Sequence, residues 1–215
     1  MCDKKNVMKI CFRVCICLTS LFLLTKSYFA SKEFDQKLTR NTEFQKSVTT
    51  ALTLHTKEKY NESFWVLNSA LENHFDPDHK DVLGYREILV KYPINTEDQD
   101  LLMAVAKNAD FVIKESNDLF ALGCAWYHKG STCIRKKQFN ECMKYIEISL
   151  HYLSQYEEAK TANAPLLAVR LFKGLNHKNK ELIYNFLEDK EKAMEEQKVV
   201  ETLKGAGPAI LRFYE

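Results

Sequence analysis

An all-α fold is the prediction of this sequence, and three observations make it. Apolar residues recur at three- and four-residue spacing along most of the chain beyond residue 43, which is the pattern of helices with one buried face. Only six Gly and four Pro occur in 215 residues, too few for the many tight turns of a sandwich or barrel. One helix–turn–helix phrase occurs twice, at Ala51 to Leu71 and at Gly130 to Leu150. In it Lys57-Glu58-Lys59-Tyr60-Asn61-Glu62-Ser63 lines up with Lys136-Lys137-Gln138-Phe139-Asn140-Glu141-Cys142, and the offset is 79 residues. A chain that repeats a helical pair is expected to stack the pairs as an α-solenoid, an architecture that mostly binds rather than catalyses.

The elements follow in order. Phe44, Val48, Ala51 and Leu52 mark one buried face, and Phe64, Leu67, Leu71 and Phe75 mark the next, with a turn expected near Tyr60-Asn61. Asp76-Pro77-Asp78 stops the second helix, because proline cannot continue it and restricts its predecessor. Val82, Tyr85, Leu89 and Tyr92 predict a third helix ended by Pro93. Thr96 is expected to cap a fourth that buries Leu101, Val105, Ala109 and Val112. Asn117 or Asp118 caps a fifth carrying Leu119, Leu122 and Trp126, and a sixth carries Phe139, Cys142, Ile146, Leu150 and Leu153. Asn163 to Leu175 reads as a seventh and Lys178 to about Lys204 as a long, charged eighth. Gly205-Ala206-Gly207-Pro208 ends it before a short apolar tail.

The chain therefore divides into a leader at residues 1–30, a linker at 31–43, a helical repeat domain at 44–204 and a tail at 205–215. In the leader, Lys4, Lys5, Lys9 and Arg13 precede the apolar run Val14 to Leu24, and Thr25-Lys26-Ser27 follows. Basic, then apolar, then small and polar is the layout of a secretory signal. The run is shorter than the roughly 20 residues of a bilayer span. Export by a cleaved signal is expected, with an uncleaved tether through residues 10–26 as the alternative. Five of the 31 Lys and Arg and one of the 29 acids lie in the leader, which leaves 26 bases and 28 acids. No basic stripe remains for nucleic acid.

Cys124, Cys133 and Cys142 lie outside the leader and form no CxxC pair, so a structural zinc site is not expected. Cys133 and Cys142 flank the turn between two antiparallel helices. In an oxidising compartment they could pair as a disulfide, and otherwise they are small apolar core residues.

Trp126, Gly130, Cys133, Phe139, Cys142, Ile146, Ser149 and Leu150 together resemble a tetratricopeptide repeat (TPR). That pattern sets Trp four residues before Gly, an aromatic between the helices, and small residues where the first helix packs closely. The earlier copy matches at Ala51, Tyr60, Ser63 and Ala70. Cys133 replaces the usual Tyr, Lys129 the usual Leu, and Cys142 and Ser149 the usual Ala. The resemblance assigns Trp126, Gly130, Phe139, Cys142, Tyr60, Ser63 and Ala70 to packing within the pairs. It also implies a concave groove lined by Tyr127, Ser131, Ile134 and Arg135 from one copy and by Val48, Leu52 and His55 from the other. TPR grooves that clamp acidic C-termini are rich in Lys, Arg and Asn. This one reads as apolar and aromatic, for a hydrophobic or helical peptide of a protein partner.

Neither a cofactor nor a catalytic residue is expected. The sequence has no Gly-x-Ser-x-Gly elbow, phosphate loop or HExxH helix, and His128 and Cys133, five apart on one helix, point to different faces. The alternative is a small metal-dependent hydrolase built around His74, Asp76, Asp78 and His79. Asn61-Glu62-Ser63 is a glycosylation sequon.

Overall fold

A computed structural model describes residues 41–73, 82–94, 96–159 and 166–204, and among these all regular structure is helical. Helix α1 covers residues 41–56 and so begins inside the segment read as a linker. It is followed by α2 (Tyr60–Asn73), α3 (Val82–Val90), α4 (Gln99–Glu115), α5 (Leu119–Arg135), α6 (Phe139–Glu158), α7 (Leu166–Phe186) and α8 (Lys190–Lys204). The leader, the His74–His79 cluster and the tail lie outside the described residues. Within the described residues no helix is long and apolar enough to cross a membrane.

Three of the connections share one backbone solution. Glu58, Lys137 and Glu188 adopt φ of 60°, 56° and 58°. The following residue closes each turn: Lys59 N–H donates to the Leu54 carbonyl, Gln138 N–H to that of Cys133, and Asp189 N–H to that of Tyr184, at 2.9–3.2 Å. The left-handed residue reverses the chain while satisfying carbonyls that the ending helix leaves open. Four residues past each turn's closing residue stands a small side chain, Ser63, Cys142 or Ala193. The third turn corrects the sequence reading, which broke the chain near residue 176 and ran one helix from Lys178 to Lys204. Instead α7 continues to Phe186, and the break falls at residues 187–189. The α3–α4 connection is built differently. Asp98, rather than Thr96, caps α4 by accepting from the amides of Asp100 and Leu101, and Thr96 Oγ1 accepts from Asp98 N–H.

From α2 onward each helix packs on its chain neighbours, and α5 also touches both α3 and α7. One core cluster joins α1 to α4 around Phe44, Phe64, Leu67, Leu89 and Leu101. A second joins α3 to α7 around Val112, Phe120, Leu153 and Phe172. A third, small cluster of Cys133, Cys142, Ile146 and Ile183 sits beneath the α5–α6 turn. Apolar burial at about 25 cal/mol per Å² supplies the main drive for such packing.

Close approach of α5 and α6 depends on two glycines. A Cβ on Gly130 would lie 3.1 Å from Ile146 Cγ1, and one on Gly123 only 2.7 Å from Leu153 Cγ. Small polar groups fasten neighbouring helices where backbones come near. Ser63 Oγ donates to the Ala51 carbonyl at 2.7 Å, and Ser149 Oγ to that of Gly123 at 2.6 Å. Asn176 on α7 donates to Ser149 Oγ at 2.8 Å, so a polar chain crosses α7, α6 and α5. Nearer the start, Asn108 Nδ2 donates to Asn68 Oδ1 at 2.7 Å, and Arg86 donates to both amide oxygens. Such buried polar groups fix register, because any slip would leave them unpaired.

Candidate functional site

The side chains of Tyr127, Ser131, Ile134 and Arg135 repeat at four-, three- and one-residue steps and so share one face of α5. Leu175, Lys178, Asn179, Leu182 and Phe186 do the same on α7. Because the α5–α6 turn reverses the chain and the α6–α7 packing reverses it again, the two faces run side by side. Together with Pro93, Ile94 and Glu97 from the α3–α4 connection, and Lys137 from the turn, they enclose a cleft of about 620 Å³. That volume lies within the range of pockets that hold a small molecule or a few side chains.

The walls are apolar at Pro93, Ile94, Ile134, Leu175, Leu182 and Phe186. Phe186, 60% exposed, stacks on Phe139 with ring centroids 5.5 Å apart. Tyr127 is buried, and its ring packs edge-on against Phe172 at 5.3 Å. Burial pushes its phenol up to about 12, with a hydrogen bond to Ser131 opposing the shift, so it stays a neutral hydrogen-bonding group. Behind it His128, 3% exposed, directs Nε2 to the Val90 carbonyl at 2.9 Å. Burial lowers the imidazole to about 4, although the carbonyls of Val90 and Tyr92 oppose this. The ring is therefore neutral, and Nε2–H donates to the end of α3, holding in place the segment that supplies Pro93 and Ile94.

The rim is positively charged. Arg135, Lys137 and Lys178 line it together with a single acid, Glu97. Lys178 pairs with Glu181 at 3.0 Å, whereas Arg135 and Lys137 have no carboxylate partner among the described residues. Asn179 lines the floor, and its buried Nδ2 lacks a partner.

Four of the groove residues expected from the sequence thus share one cleft, and three do not reach it. Val48 packs against the first core cluster. Leu52 is 56% exposed on α1. His55 lies between the rings of Tyr60 and Tyr92, with centroids 5.1 and 4.9 Å away. The expected contrast with Lys-, Arg- and Asn-rich grooves also changes, because α7 and the turn bring Lys178, Asn179 and Lys137 to the rim and floor. Leu175, Asn179, Leu182 and Phe186 were hidden by dividing α7 in two, although their spacing is that of one continuous helical face.

The expected packing residues fall as follows. Ser63, Ala70, Gly130 and Cys142 are buried, and Tyr60 and Phe139 are half-buried. Trp126 is half-buried too, tilted against Tyr145 at 5.3 Å at the edge of the α5–α6 pair rather than in its centre. Cys124, Cys133 and Cys142 are free thiols. Among the described residues no cluster of His, Cys, Asp and Glu could hold a metal ion.

The fold and site define a helical protein with an amphipathic cleft: apolar walls, a basic rim and no activated nucleophile among the lining residues. Comparison with family models, with curated proteins and with solved structures finds no match.

Proposed function

We propose that this chain is a non-enzymatic scaffold or adaptor of TPR type. Its helical pairs stack as a short solenoid, and the cleft between α5 and α7 takes a hydrophobic or helical segment of a protein partner. The observation that carries the reading is the shared cleft face of α5 and α7, the first helices of two successive pairs. The recurrence of one turn at Glu58, Lys137 and Glu188 supports the repeat, as does the packing of α5 on both α3 and α7. Apolar walls favour side chains spaced along one helical face. Arg135 and Lys137, without a carboxylate partner among the described residues, favour an acidic residue at the end of that segment. The leader's layout favours export, or a tether beside a membrane.

A displayed random-peptide library panned on the chain tests this. Enriched peptides should carry apolar residues at helical spacing, compete with one another for one site, and lose binding on Arg135→Glu plus Phe186→Glu. Both positions are exposed, so the double variant should keep its helicity by circular dichroism. Tyr127 is unsuitable for such a test, because a charge at that buried position would disrupt the core. Absence of saturable binding, or binding untouched by the folded double variant, would refute the proposal.

A further inference from the structure

The α5–α6 turn differs from its two counterparts in one chemical respect. The residue whose carbonyl accepts the closing hydrogen bond, and the small residue four past the closing one, are Leu54 and Ser63 in the first turn. They are Tyr184 and Ala193 in the third, and Cys133 and Cys142 in the second. Since all three turns share one backbone, sulfur is not required to build it. In the second turn the two thiols nonetheless share one buried cluster, with Cys133 8% exposed and Cys142 fully enclosed. Cys124, also fully enclosed, lies on α5 nine residues before Cys133 and outside their cluster, which holds Ile146 and Ile183 instead.

We propose that Cys133 and Cys142 are a dithiol pair that closes to a disulfide across the α5–α6 turn, latching the hairpin that carries the Tyr127–Lys137 wall of the cleft. With both side chains in one small cluster at a turn closed by Gln138 N–H on the Cys133 carbonyl, reaching the bonding separation of about 2 Å takes a side-chain movement rather than a new fold. With oxidised glutathione as the oxidant, Cys133, the more exposed of the two, loses its proton and attacks one glutathione sulfur. That forms a mixed disulfide and releases one glutathione thiolate. Cys142, deprotonated in turn, attacks the Cys133 sulfur and releases the second thiolate, and the two thiolates take up the two protons. The protein dithiol loses two electrons and the glutathione disulfide gains them. Burial pushes both thiols up, Cys142 to about 12, so closure in the folded chain proceeds through opening of the hairpin end and is slow.

The full chain, equilibrated with reduced and oxidised glutathione, acid-quenched and alkylated under denaturing conditions, is mapped by mass spectrometry. The expected result is a Cys133–Cys142 linked peptide lacking two hydrogens, with Cys124 alkylated, and a Tm that falls when reductant is added. Cys142→Ala and Cys133→Leu install residues that the other turns already carry at these places, so both should fold and lose the response of Tm to reductant. Alkylation of both thiols after equilibration with the disulfide form would overturn the proposal. So would a bond to Cys124 in place of this one, or an unchanged reductant response in Cys142→Ala.

Discussion

Acidification should loosen the protein through His128 before carboxylates protonate. Burial lowers this imidazole from 6.5 to about 4, so the unfolded chain binds the proton more readily than the folded one. Stability is then full above the unfolded value and is lost as pH falls from about 6.5 toward 4, at about 1.4 kcal/mol per pH unit in the steep region. Between pH 7 and pH 5 the loss comes to about 2 kcal/mol, a large share of the 5–15 kcal/mol typical of a domain. Carboxylates act lower. Burial works against ionisation of Asp118 and Glu196. The Lys91 pair and the α5 amides nevertheless hold Asp118 down, and His177 and Lys180 hold Glu196 down. Their contributions are lost only as pH falls out of the ordinary carboxylate range and through their lowered folded values. The comparison is urea unfolding of the native chain and His128→Gln at pH 7 and pH 5, since the glutamine amide can donate to the Val90 carbonyl without titrating. His55, also lowered by burial, contributes equally to both proteins and cancels. The native chain should lose about 2 kcal/mol more than the variant over this interval. Parallel losses would refute the assignment of a buried neutral imidazole.

Other substitutions test the packing. Gly123→Ala should destabilise by about 1 kcal/mol in urea unfolding, because driving a Cβ into the fully enclosed Leu153 outweighs the helix-propensity gain. Gly84→Ala, with nothing within 4 Å of its Cβ, should instead stabilise by up to about 1 kcal/mol by the same measurement. Glu188→Gly should raise stability by about 1 kcal/mol, since glycine adopts φ near 58° without the Cβ penalty; a fall would mean that the side chain contributes more than the strain. Trp126→Ala should cost about 2 kcal/mol, below the 3–5 of an enclosed aromatic, because the indole meets Tyr145 at the edge of the pair.

How much of this was legible in the sequence depended on whether the signal was local. Phe64, Leu67 and Leu71 announce a buried face by spacing alone, and that face is buried. Ser63 and Cys142 disclosed the first two turns because an aromatic, Tyr60 or Phe139, stands three residues earlier. The third turn has Lys190 in that place and Ala193 among charged residues, so composition disguised a backbone that geometry repeats. Asp98 displaced Thr96 as the cap because two candidate side chains lay within one turn of each other, and only the chain's path chooses between them. In the cleft, the α5 wall could be read from one helix. The α3–α4 connection and α7 reach it through tertiary packing, which leaves no mark in nearby sequence; His128, which tethers that connection, looks like any histidine on an apolar helix.

The three shared turns bear on how such a chain can change length. A turn at Glu58, Lys137 or Glu188 fixes only the few residues around the reversal, while the helices leading away from it range from 14 residues in α2 to 21 in α7. Whole helical turns can therefore be inserted into or deleted from the far arms of a hairpin without disturbing its bend. Lineages of such proteins would be expected to drift in spacing while keeping their bends, and a comparison tuned to a constant period would pass over them.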